Sequence, residues 1–149
     1  MEWINKEYVS WDKYYGFIYE IEYTDGIKYI GRKEFFSYTN LKAKLNEEPR
    51  KYHYRFYSKN VNGKRVKYEE LKKPSNWETY NGSTKLAKNK TIKSKTIIRL
   101  CEKAIDLTYW EIYYLMTNNV LFTDKYLNQA IGRNYFAGKL TYSKEWIKE

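Results

Sequence analysis

The chain contains few residues that could cross-link it through a disulfide or a structural metal. Its 149 residues include one cysteine, Cys101, and one histidine, His53. A lone cysteine cannot form an internal disulfide, which fits a reducing compartment, and in its apolar run it is expected to be inert core. A lone histidine without cysteine partners argues against a zinc site, and we expect it on the surface. At this length a single hydrophobic core can hold the chain together.

Long apolar runs are also absent. No stretch of about twenty apolar residues occurs, so no membrane-spanning helix is predicted. Residues 1–7 lack the basic-then-apolar order of a secretion signal. We therefore expect one cytoplasmic domain, residues 1–149, with no membrane partner.

Positive charge and aromatic rings are abundant. The chain has 28 Lys and Arg against 18 Asp and Glu, a formal net charge of +10, with 18 Tyr, 5 Trp and 6 Phe. Excess positive charge attracts polyanions, and aromatic rings beside cations suit nucleic acid through stacking and phosphate contacts. Tyrosine also favours strands, so most of these rings are expected to be structural. Composition predicts what the protein binds and leaves its activity open.

Two tyrosine-bearing strands flank one tight turn. Tyr19 and Tyr29 are ten residues apart, and Thr24-Asp25-Gly26 between them reads as the turn. A two-residue loop would send the two phenols to opposite faces of the hairpin. A three-residue loop, with Gly26 left-handed in a bulge, places Glu22 opposite Lys28, and this opposite-charge pair favours it. We therefore predict that Tyr19, Tyr29 and Lys33 share one face and that Arg32 lies on the other.

Four blocks of the sequence resemble the GIY-YIG nucleases, in the same order along the chain. Residues 16–31 match the two-strand signature, with Phe17 where many members carry Ile. The other blocks are Trp77–Ser83, Glu111 and Tyr126–Asn128. The resemblance is to small phage-encoded members. It implies an α/β fold, with a small three-stranded antiparallel sheet flanked by helices in the order strand, strand, helix, strand, helix.

Two segments read as additions to that core. Residues 1–12 are expected to be an extension whose docking anchors are Trp3, Ile4 and Trp11. Residues 38–76 are the most basic part of the chain and centre on Asn62-Gly63, a strong hairpin turn signal. Its register would pair Arg55 with Glu70 and Tyr57 with Tyr68. We therefore predict an inserted basic β-hairpin.

The later core elements are expected from local signals. Ser83 is a candidate cap for a short helix through Lys88, and Thr96–Cys101 reads as a central third strand. Asp106 is expected to cap a helix that runs to about Asn119, with Leu107, Trp110, Tyr114 and Leu115 inward. Residues 125–149 are expected to hold a turn and a last helix.

The resemblance implies roles for the tyrosines. Phosphodiester hydrolysis needs a nucleophilic water and neutralisation of charge on the phosphorane. Tyr19 is the candidate for activating water, directly or through a relay, and Tyr29 for positioning the water or the phosphate. A phenol with a pKa of about 10 is a poor base, so we expect neighbouring cations, Lys33 above all, to lower the pKa of Tyr19. On spacing alone both tyrosines could be ordinary sheet residues.

Several basic residues compete for the role of phosphate clamp. The family usually carries an arginine at the position of Thr39, on its first helix. Lys42 and Lys44 lie close by, while Arg32 and Lys33 follow the second motif directly. Similar members often have a basic residue two places after the glycine, which favours Lys33. Arg32 remains a candidate if a bulge at the glycine re-aims it.

Glu111 is the candidate ligand for one divalent metal. It falls in the helical series of Leu107 and Tyr114, within an apolar stripe where an unpaired carboxylate is unusual. One carboxylate with waters and phosphate suits Mg²⁺ or Mn²⁺. The alternative is a glutamate at the edge of the stripe that reaches solvent. Glu102 is a nearby competitor, placed before the helix.

Other residues are candidates for the site or the DNA surface. Asn128 matches an asparagine that the family places near the active site, although it could equally close a turn. Tyr80 and Ser83 lie where the resemblance brings a helix start towards the site, and Ser83 could donate to a phosphate or only cap the helix. Further candidates for contact with nucleic acid are the basic residues Lys42, Lys44, Arg55 and Lys85.

Together these observations predict a metal-dependent DNA endonuclease, encoded by a phage or mobile element and acting in a bacterial cytoplasm. By resemblance it should leave 5′-phosphate and 3′-hydroxyl ends. One alternative is a catalytically inactive nucleic-acid-binding module on the same fold. Another is a basic inhibitor that occupies an acidic partner. The oligomeric state, monomer or homodimer, stays open.

Overall fold

The described part of the chain forms two three-stranded antiparallel sheets, one short two-stranded sheet and one long helix. A computed structural model describes residues 1–10, 12–40, 53–132 and 136–139. In chain order the elements are β1 (Gly16–Tyr23), β2 (Lys28–Glu34), β3 (Phe36–Asn40), β4 (His53–Val61), β5 (Lys64–Pro74), β6 (Ile92–Cys101), α1 (Ala104–Thr117), β7 (Ala130–Ile131) and β8 (Phe136–Ala137). The first sheet has the order β2-β1-β6. This architecture confirms the predicted α/β class.

The β1–β2 hairpin has the three-residue turn. Tyr23 N–H donates to the Ile27 carbonyl at 2.9 Å, and Gly26 has a φ of +81°. Glu22 stands opposite Lys28 in the register, as predicted. The charge pair itself differs, because Lys28 Nζ donates to Glu20 at 2.9 Å and Glu22 accepts from Lys93 at 2.8 Å. The predicted register is right, but Lys28 pairs with the diagonal neighbour Glu20, and Glu22 pairs with Lys93 of β6.

Each face of the first sheet has its own core. Side chains alternate along a strand, so Phe17 and Tyr19 pack on one face and Ile18 packs on the other. The first face is covered by Trp3 and Trp77, which are buried. The second face is covered by α1 and by the chain that follows it, through the buried residues Leu107, Leu115, Val120 and Leu121. The predicted inward residues Trp110 and Tyr114 also pack there, half-buried.

The N-terminal segment packs against the core through Trp3, one of its three expected anchors. The Trp3 side chain is 3% exposed, and its indole donates to the Trp77 carbonyl at 2.7 Å. Ile4 forms a parallel bridge with Thr96 in β6, while its side chain is half exposed. Trp11 lies outside the described residues. Backbone pairing and one buried indole integrate the segment.

The inserted segment forms a sheet with one strand more than the predicted hairpin. Arg55 pairs with Glu70 and Tyr57 with Tyr68, and the Asn62-Gly63 turn has φ angles of 52° and 77°, all as expected. β3 adds to the free edge of β5, so the order is β3-β5-β4. Thr39 therefore lies on a strand, where the family carries its helical arginine. Lys42 and Lys44 lie outside the described residues.

Several predicted boundaries are corrected. The short helix is a 3₁₀ turn, Lys85–Ala87, and Thr84 rather than Ser83 accepts a cap hydrogen bond, from Leu86 N–H. The strand that contains Thr96–Cys101 is β6, and it lies at the edge of the first sheet because β1 is the central strand. α1 begins after Lys103, and Asp106 lies inside its first turn instead of capping it.

The remaining expectations concern the C-terminal part and the membrane. The last helix was expected within residues 125–149, of which residues 133–135 and 140–149 lie outside the described part of the chain. None of the helices in the described ranges is long and apolar enough to cross a bilayer.

Cys101 is buried on the α1 side of the sheet, where burial raises the pKa of its thiol to about 11. It is a core thiol, as predicted.

Candidate active site

Tyr19 lies beneath a cluster of tyrosines at the edge strand β2. Its side chain is 1% exposed, and its ring centroid is 6.2 Å from that of Tyr29 and 6.0 Å from that of Tyr80. Its hydroxyl passes over Gly31, where a Cβ atom would be 2.3 Å away. Only glycine leaves room for the phenol at this position. The structure thus brings Tyr19, Tyr29 and Tyr80 together, on the predicted face of the hairpin.

The loop before β6 completes the cluster. Tyr29 Oη and Ser83 Oγ are 3.3 Å apart and share a hydrogen bond. Gly82, with a φ of +89°, lets the loop pass close to Tyr19 and Tyr29. Ser83 therefore contacts a tyrosine of the site and is not a helix cap. The loop and the hairpin meet through these hydroxyls.

Burial controls the acidity of the phenols. The pKa of Tyr19 is raised above its ordinary value by burial, then by Tyr29, Tyr80 and Glu111 nearby, with a hydrogen bond to Tyr80 contributing. Burial also raises the pKa of Tyr29, while the Ser83 hydroxyl opposes the shift. The expectation that cations lower the pKa of Tyr19 is wrong for this structure. Tyr19 is a neutral phenol here at physiological pH.

Lys33 lies on the tyrosine face, as predicted, but its ammonium has other partners. Its Nζ donates to Asn76 Oδ1 at 2.8 Å and lies 4.1 Å from the centroid of the Tyr80 ring. Burial lowers the pKa of Lys33. An ammonium has three donors, so it can hold Asn76 and still donate to a phosphate oxygen. Its fixed position suits a phosphate clamp.

Arg32 and Glu111 form an ion pair on the α1 side of the sheet. Arg32 Nε is 3.3 Å from Glu111 Oε2, and Arg32 Nη1 donates to Thr108 Oγ1 at 2.6 Å. The Glu111 side chain is 26% exposed, so it neither faces bulk water nor lies fully buried. Burial raises its pKa, and the Arg32 charge opposes the shift. Glu111 is near enough to Tyr19 and Tyr29 to influence their pKa values.

The chemistry of Glu111 is compatible with the expected single-carboxylate metal site. Across the described ranges no three His, Cys, Asp or Glu side chains cluster as a metal site. Glu102 lies near Lys13, 3.8 Å away, with more than half of its side chain exposed. A lone half-buried carboxylate fits Mg²⁺, which keeps most of its waters and takes phosphate oxygens as ligands.

Asn128 is a buried clamp on the backbone of β2. Its Oδ1 accepts from Ile30 N–H at 3.0 Å, and its Nδ2 donates to the Ile30 carbonyl at 2.7 Å. The amide thus occupies the place of a neighbouring strand beside β2. Asn128 bonds to Ile30, the residue that precedes Gly31 in the chain, and so holds the edge strand in place. The side chain thus bonds to a distant strand and does not close a local turn, while its role at the active site stays a prediction.

A polar cleft runs along the edge of β2. Its volume is about 540 Å³, and its lining residues are Tyr15, Arg32, Lys33, Glu34, Phe36, Ser37, Ser75 and Tyr80. Two cations and three aromatic rings in one cleft suit a nucleic-acid backbone with its bases. Lys85 is exposed in the 3₁₀ turn, and Arg55 lies on β4 of the inserted sheet.

Three contributors were missed by sequence reasoning. Asn76 holds Lys33, and Thr108 holds Arg32. Lys95, 1% exposed, donates to the Tyr80 carbonyl at 2.9 Å and to Asn81 Oδ1 at 3.1 Å. Thr108 could have been found, because it lies three residues before Glu111 on the same helix face. Asn76 and Lys95 had no local signal.

Comparison with known proteins agrees with the geometry. Residues 3–131 match the family model described as "Putative endonuclease segE, GIY-YIG domain". No curated protein and no solved structure matches the chain significantly. The match spans both tyrosine strands, the inserted sheet, α1 and Asn128. This chain therefore belongs to the segE-type GIY-YIG endonuclease family.

Proposed function

We propose that the protein hydrolyses DNA phosphodiester bonds with Mg²⁺ or Mn²⁺, as a phage or mobile-element endonuclease in a bacterial cytoplasm. The observation that carries this proposal is the position of the Tyr19 hydroxyl. It crosses the edge strand at Gly31, beside Tyr29 and Tyr80, and close enough to Glu111 for the carboxylate to raise its pKa. Phenols, a cation and a carboxylate at one strand edge supply the groups that phosphodiester hydrolysis needs.

The proposed roles follow from the protonation states. Tyr19 stays neutral, so it orients a water molecule and relays a proton through the neighbouring Tyr80 instead of acting as a phenolate. Tyr29, with Ser83, orients the water or a phosphate oxygen. Lys33 donates to the phosphate from the fixed position set by Asn76. Glu111 would hold the divalent metal, which would stabilise charge developing on the phosphodiester.

One observation favours a second function, DNA binding without cleavage. Tyr19 is buried with a raised pKa, and Glu111 is paired with Arg32, so neither group is poised for chemistry in the DNA-free protein. The cleft and the net charge would still hold DNA. The two functions differ in one measurement, metal-dependent cleavage.

The test is digestion of a supercoiled plasmid with Mg²⁺ or Mn²⁺. We expect the Tyr19→Phe and Glu111→Ala variants to lose about 100-fold or more of the cleavage rate, because each lacks a reacting group. The matched controls are Tyr109→Phe, whose ring is 62% exposed, and Glu102→Ala at the surface. Both controls should cut like the wild type.

Each outcome assigns a role. If Glu111→Ala cuts as fast as the wild type, the metal assignment is wrong. If Lys33→Ala keeps full activity, the clamp moves to Arg32, Lys42 or Lys44. A wild-type protein that binds DNA and cuts with neither metal supports the binding module.

A further inference from the structure

Arg32 is anchored on α1 at two points. Its Nε lies 3.3 Å from Glu111 Oε2, and its Nη1 donates to Thr108 Oγ1 at 2.6 Å. Thr108 Oγ1 in turn donates to the Ala104 carbonyl at 3.3 Å, which fixes the hydroxyl against the helix. Thr108 and Glu111 are one helical turn apart, so the planar guanidinium spans both side chains. The arginine is held and cannot be treated as a freely moving surface side chain.

This pair changes what Glu111 can do. It is a single carboxylate, and the described residues contain no cluster of three acidic or histidine ligands that could bind a cation together. In the DNA-free protein its charge is already balanced by a guanidinium in contact. A divalent cation at the same carboxylate would be repelled by that guanidinium. Metal and Arg32 therefore compete for Glu111.

A DNA phosphate would resolve the competition. Arginine prefers the two-pronged geometry of a phosphate, and Arg32 lines the polar cleft beside Lys33, so a bound backbone lies within its range. The same phosphate offers oxygen ligands to a metal whose own protein ligand is one carboxylate. Binding of one DNA phosphate would thus release Glu111 from Arg32 and supply further oxygen ligands to a metal held by Glu111.

We infer that Arg32 is a built-in counter-ion that keeps Glu111 closed to metal until a DNA phosphate draws the arginine away, so that metal binds after DNA. The inference rests on the proposed function for the identity of the phosphate. It makes Arg32 a regulator of metal entry, in addition to a phosphate contact. It also predicts that the protein without DNA binds Mn²⁺ poorly.

Lys33 provides a matched control. It is the next residue in β2 and carries the same charge, but its side chain points to the opposite face and contacts Asn76 and the Tyr80 ring. Removing either cation changes the net charge equally. Only removal of Arg32 uncovers Glu111.

The experiment measures Mn²⁺ binding without DNA by electron paramagnetic resonance, on proteins whose folding is checked by circular dichroism. We expect Arg32→Met to tighten Mn²⁺ binding about tenfold or more over wild type, within the usual range for coupled sites. Thr108→Val, which frees one side of the guanidinium, should give a smaller increase. Lys33→Met should change the dissociation constant by less than about twofold, and adding Glu111→Gln to Arg32→Met should abolish the gain.

A second arm adds a mixed-sequence duplex, in the Tyr19→Phe background to prevent cleavage. DNA should tighten Mn²⁺ binding when Glu111 is present and not in the Glu111→Gln variant, which corrects for Mn²⁺ on the DNA itself. The inference is overturned if Arg32→Met binds Mn²⁺ no tighter than Lys33→Met, or if DNA has no effect that depends on Glu111. Plasmid cleavage by the wild type tests the proposed function separately, because an uncovered Glu111 can bind Mn²⁺ in a protein that does not cut.

Discussion

At the scale of single residues, Gly31 decides where the central phenol of the site lies. The Tyr19 hydroxyl occupies the space that any side chain at this position would need, with the would-be Cβ atom 2.3 Å from the hydroxyl and 2.5 Å from the ring carbon Cζ. The second motif therefore requires glycine for space. Gly31 of the second motif leaves open the space that the phenol of Tyr19 in the first motif fills.

Gly31→Ala tests this contact. Overpacking of a tight site costs about 1–3 kcal/mol of unfolding free energy, and the displaced phenol should lower cleavage by about tenfold or more. Plasmid digestion and urea denaturation measure the two effects. Gly26→Ala is the control, because its Cβ would meet nothing within 4 Å while its φ of +81° still strains an alanine. It should lose stability and keep its activity per folded molecule; equal activity losses in both variants would remove the special role of Gly31.

At the scale of elements, β6 joins the segments that cover the tyrosine face. Ile4 pairs with its outer edge, and Lys95 reaches from it to the loop that carries Tyr80. The Lys95 ammonium lies 4.6 Å from the centroid of the Trp3 ring. The N-terminal segment, β6 and the loop before it thus form one packing unit above Tyr19.

Removing the N-terminal anchor should loosen that unit. Trp3→Ala deletes a buried indole and its hydrogen bond to Trp77, so we expect a loss of about 3–5 kcal/mol in unfolding free energy by urea denaturation. Ile4→Ala is the neighbouring control, because that side chain is 52% exposed and its bridge uses backbone atoms. It should cost under about 1 kcal/mol. Similar losses in both variants would mean that the segment is not anchored by Trp3.

The buried ammonium of Lys95 predicts a pH effect on the same unit. Burial lowers its pKa below 10.5, so between the folded-state pKa and 10.5 the unfolded chain binds more protons than the folded protein. Stability from this group therefore rises with pH in that window. In urea titrations at about pH 8 and about pH 10, the wild type should gain stability relative to Lys95→Met as pH increases.

A strand neighbour controls for general alkaline effects. Lys93→Met removes an exposed lysine of β6 that is paired with Glu22. Its stability difference from the wild type should change less with pH than that of Lys95→Met. If the two stability differences change equally with pH, the pKa of Lys95 is not lowered by burial.

At the scale of the whole molecule, charge is unevenly distributed. The net charge is +10, yet α1 contains Asp106 and Glu111 and no lysine or arginine. Within the described residues, the lysines and arginines therefore lie outside α1. A polyanion should therefore approach through the cleft that Arg32 and Lys33 line, where Glu111 of α1 is paired with Arg32.

DNA binding should accordingly depend strongly on salt. Each phosphate contact releases counterions, so with 6–10 such contacts affinity for a mixed-sequence duplex should fall by about 10³-fold or more between about 50 and 200 mM salt. Fluorescence anisotropy at several salt concentrations gives the slope. A flat salt response would favour the inhibitor, which occupies a protein partner, over both nucleic-acid functions.

The β-hairpins were predictable because their signals are local. Gly26 and Asn62-Gly63 determine the two turns, and the alternation of side chains then determines which residues share a face. The prediction that Tyr19 and Lys33 lie together and Arg32 opposite was right for this reason. The boundary errors at Ser83 and Asp106 arose because neighbouring residues, Thr84 and Lys103, take the cap positions.

The sequence by itself determined the hairpin registers, the order of the motifs and hence the family, because turn chemistry and strand alternation act between near neighbours. Only the tertiary structure decided the state of the site. Lys33 is held by a residue 43 positions away, Arg32 by one 76 away, and Ile30 by one 98 away. The pKa of Tyr19 likewise depends on burial by segments distant in the chain. Burial and ion pairing are properties of which segments meet, and no local pattern specifies them.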